Sequence, residues 1–323
     1  MARENLVFLL GSVAKEPQVV KKGDEYLYAM VYVNVGRGTR EVGDKRDYMK
    51  CDNPIIMTRD SQWVKEIETW HTNDIVEIKG IVASKKIRKA SYCPHCNTRN
   101  TNPGALVYIN PIFAEKRCHL ETQKECLQYI ASHREISNQV YVFGTLCTEP
   151  KKLTSKSGLT VTQYQVALNR KYRIKTDPPE IKTDYPWVKS YGKNALEDKK
   201  RLRVGSEVYI DGCLQARSVL RHSVCGQIYD ERNKPVKDEN GNPVIGTGCG
   251  KRYDWEDRAL EMVPYDTEYI GNYYTDEALK AAEEEKRLNA MKKAGMTGNF
   301  QEDDAITEED YENGIDDLGG DKT

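Results

Sequence analysis

Short segments in which apolar and polar residues alternate recur along both halves of the chain. A period of two places successive side chains on opposite faces of an extended strand, so the alternation predicts half-buried β-strands. Two pairs, Gly23 with Asp24 and Ser157 with Gly158, separate such segments and predict hairpin turns. The alternating positions are Val7 and Leu9, Tyr28, Met30 and Tyr32, Val140 and Val142, and Tyr164, Val166 and Leu168. We therefore expect an all-β body.

The chain contains an internal repeat. Residues 5–17 (NLVFLLGSVAKEP) align with residues 138–150 (NQVYVFGTLCTEP) at an offset of 133 residues. Residues 74–82 (DIVEIKGIV) align with residues 206–214 (SEVYIDGCL) at an offset of 132 residues. Because two well-separated blocks keep nearly the same offset, the sequence predicts two copies of one domain. These copies span residues 1–115 and 138–270.

Both copies have the same predicted order of elements. Three strands are followed by a short helix, at residues 63–70 in the first copy and 194–201 in the second, and then by a pair of strands. Gly80 and Gly212 lie inside strand patterns and predict a bulge or bend of the kind that closes small barrels. This is the element order of a five-stranded OB barrel, so we predict two tandem OB-fold barrels.

The segments outside the two copies have a different character. Residues 116–137 contain an amphipathic stretch that predicts a connector helix. Residues 271–323 begin with a run of helix-forming residues at 276–293, where Asp276 is placed to cap a C-terminal helix. The glycines and acids that follow predict a disordered acidic tail.

Charge is distributed unevenly along the chain. Its 49 basic and 50 acidic residues give a net charge of −1. Residues 301–323 hold ten of the acids and one base, which leaves residues 1–300 with a net charge of +8. A basic body with an acidic tail indicates that the body binds a polyanionic ligand and that the tail is held apart from this ligand. The alternative is ordinary surface charge with a tail that aids solubility.

The second copy resembles the bacterial-type single-stranded DNA-binding protein family. Four motifs in the family's order and spacing carry this resemblance, and the first copy keeps weaker matches at Gly11, Glu16, Pro17, Asp47, Tyr48 and Gly80. The motifs are Gly144 with Glu149 and Pro150, residues 166–170 (VALNR), residues 184–195 (DYPWVKSYGKNA) and residues 204–217 (VGSEVYIDGCLQAR). The resemblance implies a protein that coats and protects single-stranded DNA, with little sequence preference, during replication, repair, recombination or transfer.

The resemblance also implies which residues contact DNA. In the family, aromatic residues on the barrel face stack on bases, and the matching positions here are Tyr185, Tyr191 and Tyr48. Another aromatic residue often follows the last strand's arginine, where this chain has Val219 and Ile87. Basic side chains lining the groove would follow the phosphates, unless they are merely solvated. The candidates are Lys85, Lys86, Arg88, Lys89, Arg170, Lys171, Arg173, Arg217 and Arg221.

Protein partners are implied in two ways. In the family an acidic tail recruits DNA-processing proteins through a hydrophobic tip. This chain ends GIDDLGGDKT and lacks that tip, and Ile315 and Leu318 are the residues that would serve in its place. Single-barrel relatives act as tetramers, and two barrels per chain therefore imply a homodimer.

The nine cysteines are odd in number and irregularly spaced, which argues against a disulfide framework. Cys93 and Cys96 have the spacing of a zinc knuckle, and Cys225 aligns with Cys93 in the second copy. We predict a structural zinc site, and a metal-free hairpin with free thiols is the alternative. The predicted ligands are Cys93, Cys96, Cys225 and Cys249, and the other possible ones are His95, Cys118, His119 and Cys126. Cys51, Cys147 and Cys213 fall in strand patterns and are predicted to be core residues.

Known catalytic signatures are not found in the sequence. It has no phosphate-binding loop, no Gly-x-Ser-x-Gly and no His-Glu-x-x-His, so we expect no enzyme. No apolar run approaches the ~20 residues that span a bilayer, and we expect a cytoplasmic protein without a membrane partner. Two alternatives to direct DNA binding stay open: an OB-fold adaptor that binds protein, and an accessory subunit of a DNA-processing complex. OB folds also bind RNA and oligosaccharide.

Overall fold

The computed structural model describes residues 4–38, 50–154, 158–174 and 177–293. Residues 1–274 form one compact unit, and a second unit begins at Thr275 and contains the helix α5 (Asp276–Lys293). No helix in the described part of the chain is both long and apolar enough to cross a membrane.

The first barrel is built from seven strands and one helix. These are β1 (Asn5–Val13), β2 (Gln18–Lys22), β3 (Glu25–Gly36), β4 (Cys51–Asp52), β5 (Ile55–Thr58), α1 (Ser61–Glu68), β6 (Asp74–Tyr92) and β7 (Arg99–His119). The strands β1, β6, β7, β5 and β3 pair in that order, and β3 returns to β1 to close the ring. The parallel pair β5–β7, through Ile56 and Ile109, makes the closure.

The second barrel repeats this arrangement. Its elements are β8 (Asn138–Leu146), β9 (Lys151–Thr154), β10 (Thr160–Asn169), β11 (Thr183–Asp184), β12 (Trp187–Tyr191), α4 (Gly192–Arg201), β13 (Glu207–Val224) and β14 (Arg252–Gly271). The ring runs β8, β13, β14, β12, β10 and back to β8, with the parallel pair β12–β14 between Val188 and Met262. The prediction of two tandem five-stranded barrels is confirmed.

Two short helices, α2 (Gln123–Ser132) and α3 (Arg134–Ser137), connect the barrels where one helix was predicted. Thr122 caps α2 in a capping box with Glu125. The strand β7 ends at His119, so the first barrel runs past the boundary at residue 115 that the sequence predicted.

Buried glycines allow the long strands to bend. The register shifts at Gly80 and Gly212, as their place inside the strand patterns predicted. A Cβ atom on Gly212 would lie 2.3 Å from the carbonyl oxygen of Val263, and one on Gly80 would lie 2.7 Å from that of Asn110. The neighbouring strand therefore approaches too closely for any other residue. The Gly23–Asp24 turn between β2 and β3 is also confirmed, with φ of +59° at Gly23.

The repeat gives both barrels the same buried polar bridge. Asn5 donates to the carbonyl of Val82 and accepts from its N–H, both at 2.9 Å. Asn138 makes the same two bonds, also at 2.9 Å, with Leu214. Each asparagine satisfies backbone groups that would otherwise be unpaired in the interior. The strands β1 and β8 then pair with each other, which joins the two barrels into one sheet.

Candidate nucleic-acid interface and metal centre

The last two strands of each barrel extend beyond it as a long hairpin. The first hairpin, β6–β7, turns at residues 93–98, and the second, β13–β14, turns between residues 225 and 251. The hairpins contact each other: the Lys89 ammonium lies 2.5 Å from an Asp257 carboxylate oxygen, and the hydroxyls of Ser91 and Tyr253 are 2.6 Å apart. These contacts hold the hairpin of one barrel against the hairpin of the other.

The four cysteines predicted as zinc ligands meet at the tips of these hairpins. Their sulfur atoms all lie within 4.8 Å of one another. Two of the separations that cross between hairpins are 3.8 Å, from Cys93 to Cys249, and 3.5 Å, from Cys96 to Cys225. Sulfur ligands about 2.3 Å from a tetrahedral zinc ion would be about 3.8 Å apart, so the cluster fits the metal.

Both halves of the cluster have the same backbone turn. In the first, the Cys93 N–H donates to Thr98 and the Asn97 N–H donates back to Cys93. In the second, the Cys225 N–H donates to Lys251 and the Gly250 N–H donates back to Cys225. Asn97 and Gly250 have φ of +55° and +70°. The second knuckle is therefore the same turn with an insertion between its two cysteines.

The insertion consists of two similar turns in succession. Residues 230–236 (DERNKPV) and 238–244 (DENGNPV) are offset by eight residues, and Asn233 and Gly241 have positive φ at the same place in each. The Gln227 side-chain amide donates to three backbone carbonyls that converge on it, those of Ile228, Val236 and Val244. The insertion is thus an ordered extension of the four-cysteine cluster.

The chemistry of the cluster also suits a cation. Hydrogen bonds from the side chain and backbone of Thr98 lower the pKa of Cys96 to about 6, which favours the thiolate that binds metal. A hydrogen bond with the Lys251 backbone acts in the same direction on Cys249, but burial and the neighbouring sulfurs raise the pKa of that thiol to about 11. Cys93 and Cys225 are buried, whereas Cys96 and Cys249 are exposed at the tip.

Three of the four alternative ligands lie elsewhere. His119 pairs with Asp74, and Cys126 is buried with Leu10 and Ile75 in a small core, with Cys118 packed against it. His95 is near the cluster, but its ring nitrogen faces the Arg252 carbonyl at 3.3 Å.

The prediction of three core cysteines is right for Cys213 alone. Cys213 is buried, whereas Cys51 and Cys147 are exposed. In the two-residue strand β4 it is Asp52, not Cys51, that points inward, and Cys147 follows the last inward residue of β8, Leu146. Alternation within the strand explains both corrections.

The predicted stacking residues differ in how far they are free to contact a ligand. Tyr185 is 49% exposed, and its backbone N–H is fixed to the Ser84 hydroxyl at 3.1 Å. Tyr191 is half-buried and donates its hydroxyl to Gln215 at 2.8 Å. Burial raises the pKa of Tyr191. Tyr48 lies outside the described residues.

Arg170 was predicted to contact DNA, but the structure buries it. Its side chain is 4% exposed, and its guanidinium pairs with Asp184 at 2.6 Å and with Asp177 at 2.7 Å. These carboxylates raise the pKa of Arg170 despite the opposing effect of burial. The residue is a buried ion-pair partner, because Asp177 and Asp184 both contact its guanidinium.

The other predicted cations divide into two groups. Arg217 pairs with Glu261, Arg221 and Lys89 pair with Asp257, and Lys171 pairs with Glu4. Lys85, Lys86, Arg88 and Arg173 are exposed and form no ion pair with another described residue. Arg88 lies over the ring of Tyr229, 5.6 Å from its centre. Among the predicted cations, these four are the best placed to meet phosphates.

Comparison with known proteins finds relatives of the second barrel. Residues 137–227 match the model of the single-strand binding protein family. The match covers the strands β8 to β13 of the second barrel. A curated relative, Single-stranded DNA-binding protein 1 of Chlorobaculum tepidum, is 28% identical over 81 residues, which are 25% of this chain and 50% of that protein. The chain thus spans half the length of this relative.

Solved structures of the single-strand binding protein from Thermus aquaticus resemble the chain more widely. A deletion mutant aligns with a TM-score of 0.51 and 14% identity over 86% of this chain and 100% of the other. The wild-type protein aligns with a TM-score of 0.48 and 15% identity over 84% and 95% of the two chains. The likeness to the mutant shows the fold.

Sequence reasoning missed aromatic residues on both barrel faces. In the second barrel, Trp187 is half-buried next to the buried Val188, so it lies on the outer face of β12. Its two-residue spacing from Tyr185 was the available signal. In the first barrel, Tyr32 is half-buried on the outer face of β3, with Lys15 and Arg258 4.4 and 4.9 Å from its ring centre.

Proposed function

We propose that this chain binds and protects single-stranded DNA along its two barrels, with little overall sequence preference, and acts without catalysing a reaction. The observation that carries the proposal is the match of the second barrel to the model of the single-strand binding protein family. The exposed ring of Tyr185 and the neighbouring outward Trp187 support it, since bases stack on flat rings whatever their sequence. Exposed Lys85, Lys86 and Arg173 supply charge for the phosphates.

The test is a fluorescence-anisotropy titration of the full chain with oligo-dT, the matching duplex and an RNA across a salt series. We expect binding to oligo-dT that far exceeds duplex binding and weakens with salt. Tyr185→Ala should weaken it about five- to a hundredfold, the loss of one stacked base. The control is Tyr274→Ala, which removes a ring that lies beside Arg203 instead. No binding to oligo-dT at low salt contradicts the proposal.

A protein-binding adaptor is the second candidate. The observation that favours it is the pairing of Arg217, Arg221 and Lys89 with acids, which neutralises much of the hairpin surface. In that case the titration would show equal, weak binding to all three nucleic acids.

We also propose that the four-cysteine cluster holds one structural zinc ion. The fit of the sulfur separations supports zinc, and the ion would link the hairpins of the two barrels. Recruitment of DNA-processing proteins through residues 301–323 stays a prediction, because that tail lies outside the described residues. A cytoplasmic location is likewise a prediction of the sequence.

A homodimer completes the proposed assembly. The central strands β1 and β8 turn half-buried Leu6, Phe8, Tyr141 and Phe143 outward, and the rings of Phe8 and Tyr141 are 6.3 Å apart. We expect a second copy to cover this apolar face. Light scattering should give twice the chain mass of 36.9 kDa, and Phe8→Asp should give the chain mass itself. A wild-type mass equal to one chain contradicts the dimer.

A further inference from the structure

A groove of about 310 Å³ separates the first barrel from the second hairpin. Its volume is at the lower end of the roughly 300–1,000 Å³ of ligand sites. The lining residues are Asn53 from the first barrel, and Ala216, Arg217, Ser218, Glu256, Asp257 and Arg258 from the hairpin. Residues of both barrels therefore line the groove.

Both walls of the groove are held in place. The Ala216 N–H donates to an Asp52 carboxylate oxygen at 2.9 Å, which fixes the hairpin to the first barrel. Arg258 crosses the groove and donates to the backbone carbonyl of Asn53 at 2.7 Å. The same guanidinium lies 4.9 Å from the ring centre of Tyr32, on the outer face proposed to carry DNA. A strand passing from the first barrel to the second meets this groove.

The charges in the groove favour a base over a phosphate. Two arginines and two acids line it, so it offers no net positive charge. Asp257 is occupied by Lys89 and Arg221, whereas the Glu256 side chain is exposed and makes no hydrogen bond or ion pair with the described residues. Glu256 and Arg258 are two residues apart in β14, so their side chains lie on the same face of the hairpin. Arg258 uses Nη2 for the two oxygens of Asn53, which leaves Nε and Nη1 to donate. The groove thus offers a carboxylate acceptor beside an arginine donor.

Guanine matches this combination of groups. Its N1–H and N2–H₂ groups are adjacent donors that one carboxylate can accept together, while O6 and N7 accept from arginine. Adenine, cytosine and thymine lack two adjacent ring-edge donors.

We propose that the groove holds one guanine base of the bound strand, with Glu256 accepting from its N1–H and N2–H₂ groups and Arg258 donating to O6. This inference rests on the proposed binding of single-stranded DNA and refines it. It adds one base-selective position to a surface that otherwise tolerates any sequence.

The experiment uses the full chain and labelled oligonucleotides of about 35 nucleotides. They consist of dT with every fifth base replaced by dG, dA or dC, and anisotropy measures their affinity relative to unbroken dT. The dG strand should bind about five- to tenfold more tightly than the other three. Glu256→Gln should bring this ratio to about one. Glu239→Gln, which removes an exposed acid from the insertion, should leave the ratio unchanged.

The ratio of affinities is measured, and not the affinity for one strand, because removing an acidic side chain strengthens binding to every strand. Equal affinities for all four strands, or a dG preference that survives in Glu256→Gln, would overturn the inference and leave the proposed function intact. Failure of every strand to bind at low salt would overturn both.

Discussion

Replacing Cys225 by serine should remove the bound zinc and lower the melting temperature of the protein by roughly 10 °C. Cys225 is buried between the two hairpins, and its sulfur lies 3.5 Å from that of Cys96. A ligand at a thousand times its dissociation constant stabilises a fold by about 4 kcal/mol, and each kcal/mol shifts the melting temperature of a unit of this size by roughly 2–4 °C. Elemental analysis should find one zinc per wild-type chain, and calorimetry measures the shift.

The barrels should stay folded when the zinc is lost. Their closed rings and buried cores do not depend on the hairpin tips, so hydrogen exchange should accelerate first at residues 91–102 and 223–253. The control is Cys147→Ser, because Cys147 is an exposed cysteine outside the cluster. Zinc retained in full by Cys225→Ser, or a purified wild type that neither contains nor binds zinc, contradicts the metal centre.

The internal repeat made the fold and the four-cysteine cluster predictable from one sequence. An offset that stays at 132 or 133 residues places Cys225 where Cys93 lies, so two half-sites could be recognised although each has only two ligands. The same offset equates Asn5 with Asn138 and Gly80 with Gly212, and the structure gives each pair the same role.

The faces of the strands were harder to predict. In β3 the residues Tyr28, Met30 and Tyr32 alternate with Ala29, Val31 and Val33, so both faces of the strand are apolar and the period alone does not say which is buried. The structure buries the smaller set and turns the two tyrosines outward. The size of the barrel interior, which depends on all five strands, makes that choice.

The roles of individual cations depend on contacts distant in sequence. Arg170 ends a strand motif typical of the family, and the sequence alone does not show that Asp177 and Asp184 converge on it. Lys89 and Arg221 come from different barrels yet share Asp257. A basic residue in a binding motif is therefore a reliable guide to the surface only where no acid folds over it.

Asp184→Asn should destabilise the protein by about 3–5 kcal/mol and lower its melting temperature by roughly 10 °C. The Asp184 side chain is fully buried and accepts two bonds from Arg170, at 2.6 and 3.0 Å, and one from the Ser84 N–H of the first barrel at 2.7 Å. An amide offers one acceptor oxygen where the carboxylate offers two, so the buried guanidinium would lose charge compensation. Calorimetry at neutral pH measures the change.

The matched control is Asp177→Asn, which alters the more exposed partner of the same arginine and should cost less. The double variant Arg170→Met with Asp184→Leu should be more stable than Asp184→Asn, since it removes both fully buried charges and leaves only the more exposed Asp177 without its partner. A melting temperature of Asp184→Asn equal to that of the wild type would show that the pair contributes nothing.

The same substitution should also weaken binding to oligo-dT, although Asp184 and Arg170 are buried. Tyr185 follows Asp184 directly, and its N–H is held by the Ser84 hydroxyl, which itself lies 3.3 Å from the Asp184 carboxylate. Arg170 and Asp184 are thus positioning residues for the exposed ring. Measured below its melting transition, Asp184→Asn should lose part of the affinity that Tyr185→Ala loses, and adding Tyr185→Ala to it should cost less than in the wild type. Full additivity of the two losses would mean that the buried pair acts on stability alone.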